Sequence, residues 1–589
     1  ALPGLEKLKG TLAQSGHALL TLLQQSDEIS ERLERLYVYA SLRRDEDLTN
    51  GTYQGMADRA SQLFVRASTA VSYIEPEILA LPEQTLDQFS TEAPGLALYK
   101  QQLDVLGLKR PHIRSAEIEA VLAAAAEICD APNTTFSLMS NADLTLSPIL
   151  NAEGEEVKLT HGNYPTYISS SDRHMRKEAF ESMHSAFLRQ RHTFAATLST
   201  QVKAHLFYAR QRNYRTCRER ALARYNIPIS VYDTLIETVK AHIPLFNRYL
   251  QVRKQVLKLD ELHMYDLQVP LVEEVTSKVS YQQAQEMVIQ ALAPLGESYE
   301  HALKQAFTQR WIDVYETPGK RAGAYSGGAY GTAPFLLLNW QDNRESMYVL
   351  AHELGHCIHS YFTRANQPYP YGNYTVFVAE VASTLNEGLL TEYLLTHTND
   401  RATRLAILNR SLENMRRLLF RQSLSAEFEQ QIHSKVEAGE ALTADTLSRS
   451  YRALNETYYG RETIVDDLID IEWARIPHFY YDFYVYQYAT GISAATALVQ
   501  QILLEGRVAV ERYLQFLGAG SSNYSIELLK KAGVDMTDSQ PVYQTLRTFQ
   551  AHLSQLEELI LSGSEEKGNR LSLDDSVEVR QAHALHPHA

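Results

Sequence analysis

Three residues in the segment YVLAHELGHCIHSYF (348–362) have the types and spacing of a metal-dependent hydrolase. His352 and His356 are four residues apart, so both imidazoles point to one side of a helix. A catalytic zinc takes three protein ligands and keeps one position open. Glu353 can act as a general base towards a water whose pKa zinc lowers to about 7. The apolar flanks indicate a buried helix, where these polar groups need a cation. We therefore predict one Zn²⁺ per chain.

A third ligand is expected downstream, in YTVFVAEVASTLNEGLL (374–390), which reads as a second buried helix. Glu380 and Glu387 are seven residues apart, or two turns, and so face the same way. One of them can bind zinc while the other supports a ligand histidine. The spacing alone leaves this choice open. His359 is interpreted as a packing or supporting residue, because a fourth histidine would close the open position.

Two further segments have the composition of substrate-binding groups. KRAGAYSGGAYGTAPFLLLNW (320–340) is rich in glycine, which allows close backbone approach, and a peptide can pair with an exposed strand edge there. The candidate contacts in it are Gly323, Ala324, Tyr325, Gly327, Gly328 and Tyr330. IPHFYYDFYVYQYATGISAA (476–495) concentrates one histidine and several tyrosines, the donors that can stabilise an oxyanion. A flexible loop and an aromatic core helix are the respective structural alternatives.

AHELGHCIHS followed by FVAEVASTLNE resembles the M3 metallopeptidases, and within them the oligoendopeptidase F branch. The resemblance implies that Glu380 completes the zinc site and that Glu387 occupies the second acidic position. It strengthens the substrate-contact reading of the glycine-rich segment. It also implies that His478 and nearby tyrosines act on the substrate carbonyl. Tyr481 and Tyr488 keep the seven-residue separation of the family, and Tyr484 fits an ungapped local alignment. The candidates are therefore His478 and these three tyrosines.

The elements that position these groups are predicted to be mostly helical, since apolar residues recur with helical spacing along most of the chain. Ser115 is a candidate N-cap and Pro132 a candidate stop for one helix. Single long helices are predicted for the segment from EAFESM to YARQR, for 230–258 and for 281–308. A hairpin is predicted in 143–168 around Gly154, and a strand in 333–340 just before the zinc helix.

The fold class predicted is therefore mostly α, with a small β-sheet or hairpin near the zinc helix. The family resemblance implies a large multi-helical body in two halves that enclose a deep active-site channel. The chain of 589 residues is divided here into an N-terminal helical domain with a β-hairpin (1–180), a catalytic domain (181–562) and a polar tail expected to be mobile (563–589).

Composition limits the partners. The net charge is −15 without a local basic stripe, which argues against nucleic acid, and there is no apolar run of membrane-spanning length. Three cysteines in so long a chain do not form a disulfide framework, so a cytoplasmic location is expected. The resemblance to the oligoendopeptidase F branch implies oligopeptides as the partners. The sequence does not fix the oligomeric state, for which a monomer or a weak dimer is expected.

The function predicted is hydrolysis of internal peptide bonds by a metal-activated water with Glu353 as general base, and the family resemblance implies that the substrates are short oligopeptides. One alternative is a helical zinc carboxypeptidase, which would need a group that reads the free carboxylate of its substrate, typically an arginine. The other is an inactive peptide-binding protein with a closed, structural zinc site.

Overall fold

Helices dominate the computed structural model, which describes residues 2–151, 153–272 and 278–566. This confirms the mostly-α class. The described residues contain two clusters of buried apolar side chains, one between residues 5 and 99 and a much larger one between 136 and 556. The predicted domain boundary at 180 stays a prediction. Of the predicted polar tail, 563–566 continue the last helix and 567–589 lie outside the described residues.

The N-terminal helices form the smaller core. Two long helices, α2 and α3, run side by side, and shorter helices cover one end of them. The bounds are α1 (Leu2–Glu6), α2 (Gly16–Glu46), α3 (Gly51–Val71), α4 (Ile74–Ala80), α5 (Glu83–Glu92), α6 (Lys100–Lys109) and α7 (Ala116–Leu138).

The middle of the chain adds a hairpin and the first helices of the larger core. The predicted hairpin is confirmed as β1 paired antiparallel with β2, with Gly154 at a positive φ of 79° in the turn. The bounds are β1 (Ile149–Leu150), β2 (Glu156–Val157), α8 (Tyr164–Ile168), α9 (Arg173–Arg189), α10 (Arg191–Gln211), α11 (Cys217–Ala223), α12 (Ile229–Ala241), α13 (Ile243–Val256), β3 (Leu262–His263), α14 (Tyr281–Leu292) and α15 (Glu297–Thr308).

A three-stranded sheet precedes the helix that carries the histidine pair. It consists of β4 (Ile312–Tyr315), β5 (Tyr325–Gly327) and β6 (Phe335–Trp340) in the order β4-β6-β5. The central strand, β6, lies within the predicted strand 333–340 and is apolar because both of its faces are covered. Within the part of the chain that the structure describes, β5 pairs with β6 alone, so its other side is a free edge.

The remaining helices pack around α17, which lies between α16 and α21. The bounds are α16 (Arg344–Asn366), α17 (Val376–His397), α18 (Arg401–Met415), α19 (Arg421–Glu437), α20 (Ala444–Tyr459), β7 (Thr463–Ile464), α21 (Tyr486–Glu505), α22 (Arg507–Leu517), α23 (Ser525–Lys531) and α24 (Gln540–Glu566). Two 3₁₀ segments, Asp467–Arg475 and Pro477–Tyr480, lead into α21.

Several helix boundaries differ from those predicted. Ser115 caps α7 as expected, but α7 continues through Pro132 to Leu138, because a proline removes only one helical hydrogen bond from a helix that packs along α10. The three long helices are each split. The first breaks at Gln190, the second at His242 and the third at a 3₁₀ turn over Ala293–Leu295.

Among the residues that the structure describes, none of the helices has both the length and the apolar character needed to cross a membrane.

Candidate active site

α16 brings the two histidines and the glutamate of the motif together. The helix begins after Asn343, whose side chain accepts a hydrogen bond from the backbone N–H of Ser346 at 2.8 Å. Gly355 faces α17 so closely that an added Cβ would lie 2.5 Å from the Cα of Ser383. Only glycine allows this contact between two helix backbones. The glycine inside the motif thus sets the distance between the helix of the histidines and the helix of the acidic residues.

His352, His356 and Glu380 converge on one point. The Nε2 atoms of the two histidines are 3.2 Å apart, and the Glu380 Oε2 lies 3.4 Å from the first and 3.5 Å from the second. Ligands about 2.05 Å from a tetrahedral zinc are separated by about 3.3 Å, so the three atoms fit the corners of such a site. The Glu380 side chain is 46% exposed, which leaves one side of the triangle open to solvent. The donor set is therefore that of an open zinc site.

Glu387 lies on the other side of His352 and fixes its orientation. Its Oε1 accepts a hydrogen bond of 2.8 Å from the Nδ1 of His352, which leaves Nε2 directed at the convergence point. Of the two acidic positions that spacing left open, the structure puts Glu380 with the Nε2 atoms and Glu387 behind the ring. Burial alone would raise the pKa of Glu387, but the bond to His352 and the charge of Arg410 lower it.

Arg410 supports Glu387 in turn and was not found from the sequence. Its Nη1 donates to the second oxygen of Glu387 at 3.1 Å, and its Nε donates to Glu345 at 2.9 Å. The guanidinium lies 3.5 Å from the ring centroid of Tyr348. Arg410 belongs to α18, and no motif or spacing connects that helix to α16, so only the folded chain reveals this contact.

The two histidines differ in their surroundings. Burial lowers the pKa of His356 to about 4, so its Nε2 lone pair is available at neutral pH. Burial also disfavours the charged form of His352, but the hydrogen bond to Glu387 raises its pKa. His359 stands apart from the group. It is buried and its ring stacks on Tyr374 at 3.7 Å, which fits the predicted packing role.

Glu353 faces the edge strand β5. It is buried, and its Oε2 has no hydrogen-bond partner among the described residues. Burial raises the pKa of Glu353 to about 7, while the charge of His352 acts in the opposite direction. A carboxylate with one free oxygen beside the convergence point can accept and return a proton.

The glycine-rich segment forms the turn before β5, β5 itself and the loop after it. Its tyrosine hydroxyls are engaged inside the protein, since Tyr325 donates to Asp45 of α2 at 3.0 Å and Tyr330 donates to the carbonyl of Gln367 at 2.8 Å. The backbone of β5 is left as the part that can meet a peptide. The remaining predicted contacts lie before, within and after this strand at Gly323, Ala324, Gly327 and Gly328.

His478 lies in the 3₁₀ segment before α21, Tyr488 lies in α21, and Tyr481 and Tyr484 lie in the link between them. The His478 Nε2 lies 3.1 Å from the hydroxyl of Tyr488. Burial raises the pKa of Tyr484 and raises that of Tyr488 to about 12, and in both the negative charge of Glu380 adds to the effect. Both rings thus lie near Glu380. Tyr481 is 48% exposed and contacts the edge of His478 with ring centroids 5.6 Å apart, at the outer side of the cluster.

A left-handed turn holds this aromatic segment in place. Asp482 and Phe483 have positive φ values of 54° and 60°, which are unfavourable for residues other than glycine. The Asp482 carboxylate pairs with Arg220 at 2.6 Å, and the N–H of Phe483 donates to the buried Glu429 at 2.7 Å. These supports come from α11 and α19 and were also not foreseen from the sequence.

A second group of potential ligands, His205, His433 and Asp482, lies behind this turn. The rings of the two histidines are nearly coplanar, with centroids 5.4 Å apart and a nitrogen–nitrogen distance of 3.0 Å, so each nitrogen points straight at the other. His433 Nδ1 donates to the carbonyl of Glu429, which makes its Nε2 an acceptor for His205 Nδ1. In α16 the centroids are closer, at 4.9 Å, although the nitrogens are farther apart, so those rings turn towards a common point. The two histidines of the second group are therefore joined to each other by a hydrogen bond, whereas those of the first group point at a common position.

Comparisons with known proteins agree with this geometry. The family model described as peptidase family M3 matches residues 166–548, and the one described as oligopeptidase F matches residues 77–145. The chain is 48% identical to oligopeptidase PepF of Bacillus subtilis over 95% of this chain and 84% of that protein. It is 44% identical to group B oligopeptidase PepB of Streptococcus agalactiae over 96% and 94%. The crystal structure of oligoendopeptidase-F from Enterococcus faecium superposes with a TM-score of 0.76 at 40% identity, covering 95% of this chain and 96% of that one.

Proposed function

Because this chain belongs to peptidase family M3 and is therefore a peptidase, we propose that it is a zinc-dependent endopeptidase that cleaves short oligopeptides. The observation that carries the proposal is the triangle of His352, His356 and Glu380, whose edges of 3.2, 3.4 and 3.5 Å match those of a tetrahedral zinc site. When bound there, Zn²⁺ would polarise the scissile carbonyl and make a water nucleophilic at neutral pH.

Glu353 is proposed as the general base and acid. It takes a proton from the attacking water and gives it to the leaving amine. Its burial and its Oε2, which has no hydrogen-bond partner among the described residues, support this role, since one carboxylate oxygen is free to take the proton. Glu387 keeps His352 in the tautomer that directs Nε2 into the site, and Arg410 keeps Glu387 ionised.

His478 and Tyr488 are proposed to donate hydrogen bonds to the carbonyl oxygen as negative charge develops on it, with Tyr484 beside them. Their proximity to each other and to Glu380 supports this assignment. Tyr481, the fourth predicted donor, remains a candidate for contact farther along the peptide. The free edge of β5 is proposed to pair with the peptide main chain, which would give affinity with little demand on side-chain identity.

The cytoplasm remains our proposal for the compartment, supported by the free thiols of Cys129, Cys217 and Cys357. Restriction to oligopeptides and a monomeric or weakly dimeric state also remain expectations, the first from the resemblance to oligoendopeptidase F.

A mixed peptide library tests the proposal. The library is incubated with the wild-type protein, with Glu353→Gln and with Glu456→Gln, and the products are identified by mass spectrometry. Glu456→Gln is the control, because it changes an exposed carboxylate on α20. We expect internal cleavage by the wild type and the control, no cleavage after chelation, and no cleavage by Glu353→Gln although it still binds zinc. Retained hydrolysis by Glu353→Gln would refute the assigned base.

Peptides with an amidated C-terminus separate the alternatives. An endopeptidase cleaves them, whereas a carboxypeptidase requires the free carboxylate. A protein that melts at a zinc-dependent temperature but cleaves no peptide in the library would instead be the inactive binding protein.

A further inference from the structure

A cavity of about 350 Å³ lies beside His478. Its wall includes Tyr164 of α8, Arg421 of α19 and Arg475 of the 3₁₀ segment that leads to His478. A second cavity of about 240 Å³ is lined by the same tyrosine and the same two arginines. Because His478 lines the larger cavity and also contacts Tyr488, the cavity adjoins the group proposed to act on the substrate carbonyl.

Both cavities are lined by more cationic than anionic side chains. Glu472 is the one carboxylate that forms ion pairs with Arg421 or Arg475 among residues 2–151, 153–272 and 278–566. Both of its oxygens are occupied, since Oε1 accepts from Arg421 at 2.9 Å and Oε2 accepts from Tyr451 at 2.7 Å. His184 adds no charge at neutral pH, because burial, and then the charge of Arg475, lower its pKa to about 4. Two guanidinium groups therefore share one carboxylate.

The two arginines do not have equal freedom. Arg421 is bonded to Glu472 and anchored in the core, whereas Arg475 lies 3.7 Å from the nearest oxygen of Glu472, beyond hydrogen-bond distance. Its guanidinium is placed over the ring of Tyr164, 5.3 Å from the centroid, and its side chain is 28% exposed. Arg475 thus keeps donors that can form the planar, two-bond contact that arginine makes with a carboxylate.

We infer that this cavity is a subsite for a carboxylate of the peptide substrate, with Arg475 as the group that binds it and Arg421 as its support. The inference rests on the proposed function, since it takes His478 to lie against the substrate. The carboxylate can be that of an acidic side chain or that of the C-terminus, as both have the same charge and shape. Arg253 and Arg416 also share one carboxylate, that of Glu413, but both lie within 2.9 Å of it, whereas Arg475 lies 3.7 Å from Glu472.

Four fluorogenic peptides of one backbone separate the two sources of the carboxylate. They combine a free or an amidated C-terminus with either Asp or Asn at one position on the C-terminal side of the cleaved bond. They are assayed with the wild type, Arg475→Gln, and Arg452→Gln as the matched control. Arg452 binds Asp470 in the same 3₁₀ segment at 2.8 Å but does not line the cavity, so its loss reports on loosening of that segment alone.

We expect the wild type to prefer one carboxylate peptide over its neutral counterpart, and Arg475→Gln to lose about 10- to 100-fold of kcat/KM on that peptide through KM. The neutral counterpart should be cleaved equally by both proteins, and Arg452→Gln should behave as the wild type. Preference for the free C-terminus identifies the terminal carboxylate, and preference for Asp identifies a side chain. Equal losses on charged and neutral peptides, or no preference in the wild type, overturn the inference and leave the peptidase assignment intact.

A binding measurement covers the case in which no peptide is cleaved. Fluorescence anisotropy of the same labelled peptides with the zinc-loaded Glu353→Gln protein measures affinity without turnover. Higher affinity for the carboxylate peptide than for its neutral counterpart supports the subsite, provided that the Glu353→Gln, Arg475→Gln double variant loses this difference. This result holds even if the proposed hydrolysis fails. Equal affinities for charged and neutral peptides overturn it.

Discussion

Replacing Gly355 by alanine tests whether helix spacing determines the metal site. The added Cβ would lie 2.5 Å from the Cα of Ser383, 2.6 Å from the carbonyl oxygen of Ala382 and 2.7 Å from the nitrogen of Ser383. All three are backbone atoms of α17, so no side chain can rotate away. Ordinary contact begins at 3.4 Å, and α16 and α17 must therefore separate by about 1 Å.

The consequence for the site follows from the position of Glu380, one turn before Ser383 on α17. A 1 Å separation lengthens its distances to the two Nε2 atoms from 3.4 and 3.5 Å towards about 4.5 Å, too far for one zinc to hold all three ligands. Overpacking of this size costs about 1–3 kcal/mol of stability, which a large core tolerates. Misplacement of a ligand by 1 Å is expected to lower kcat/KM by about 100-fold.

The assay compares zinc affinity, by competition with a chelating dye, and peptide cleavage at saturating zinc. Gly491→Ala is the matched control, because its Cβ would lie 3.7 Å from the Cβ of Glu380, which is ordinary contact at the same site. We expect Gly355→Ala to remain folded by circular dichroism while losing both zinc affinity and activity, and Gly491→Ala to keep both. Wild-type zinc affinity in folded Gly355→Ala would refute the reasoning.

Three further predictions concern the surroundings of the site and the buried histidines. Replacing Arg410 by Met leaves the carboxylate of Glu387 without its cation, so we expect zinc affinity to fall about 10- to 100-fold in the dye competition assay. Tyr488→Phe should lower kcat by about 100-fold with little change in KM, whereas Tyr481→Phe, at the outer edge of the cluster, should have a small effect in steady-state kinetics. The pKa of His184 falls from 6.5 to about 4 through burial, so the unfolded chain binds its proton first as the pH drops, and the free energy of unfolding decreases by about 3 kcal/mol between about pH 6.5 and 4. A His184→Gln variant should show a correspondingly flatter dependence of the melting temperature on pH.

Each of these outcomes can fail separately. Unchanged zinc affinity in Arg410→Met would remove the role given to that arginine. Equal effects of the two tyrosine substitutions would remove the distinction between them. An unaltered pH dependence in the His184 variant would mean that its ring is protonated in the folded chain.

Much of the metal site could be predicted from the sequence because its parts are local. His352, Glu353 and His356 lie within five residues of one helix, and the helix period puts the two histidines on one face with Glu353 beside them. The choice between Glu380 and Glu387 was not local, since both face the same way along α17 and only the packing of two helices separates them. Arg410 lies on a third helix, and no motif or spacing in the sequence indicates that it contacts Glu387.

The fold shows the same division between local and long-range information. The hairpin at Gly154 and the strand before α16 were predicted because turn residues and apolar runs mark them. The break at His242 has a signal in the sequence, since Pro244 fits the first turn of a new helix. The break at Gln190 has neither glycine nor proline near it, and α9 and α10 separate there because they pack on different neighbours.

The brevity of β5 has a consequence for turnover. A strand of three residues directs the main-chain groups of only about one residue towards a bound chain, because successive residues face opposite sides. A peptide that pairs with β5 as proposed is held by few main-chain hydrogen bonds. After cleavage these bonds are divided between two fragments, and neither fragment keeps enough of them to stay bound. Departure of products is then fast, and the step that limits the reaction is expected to be bond breaking itself.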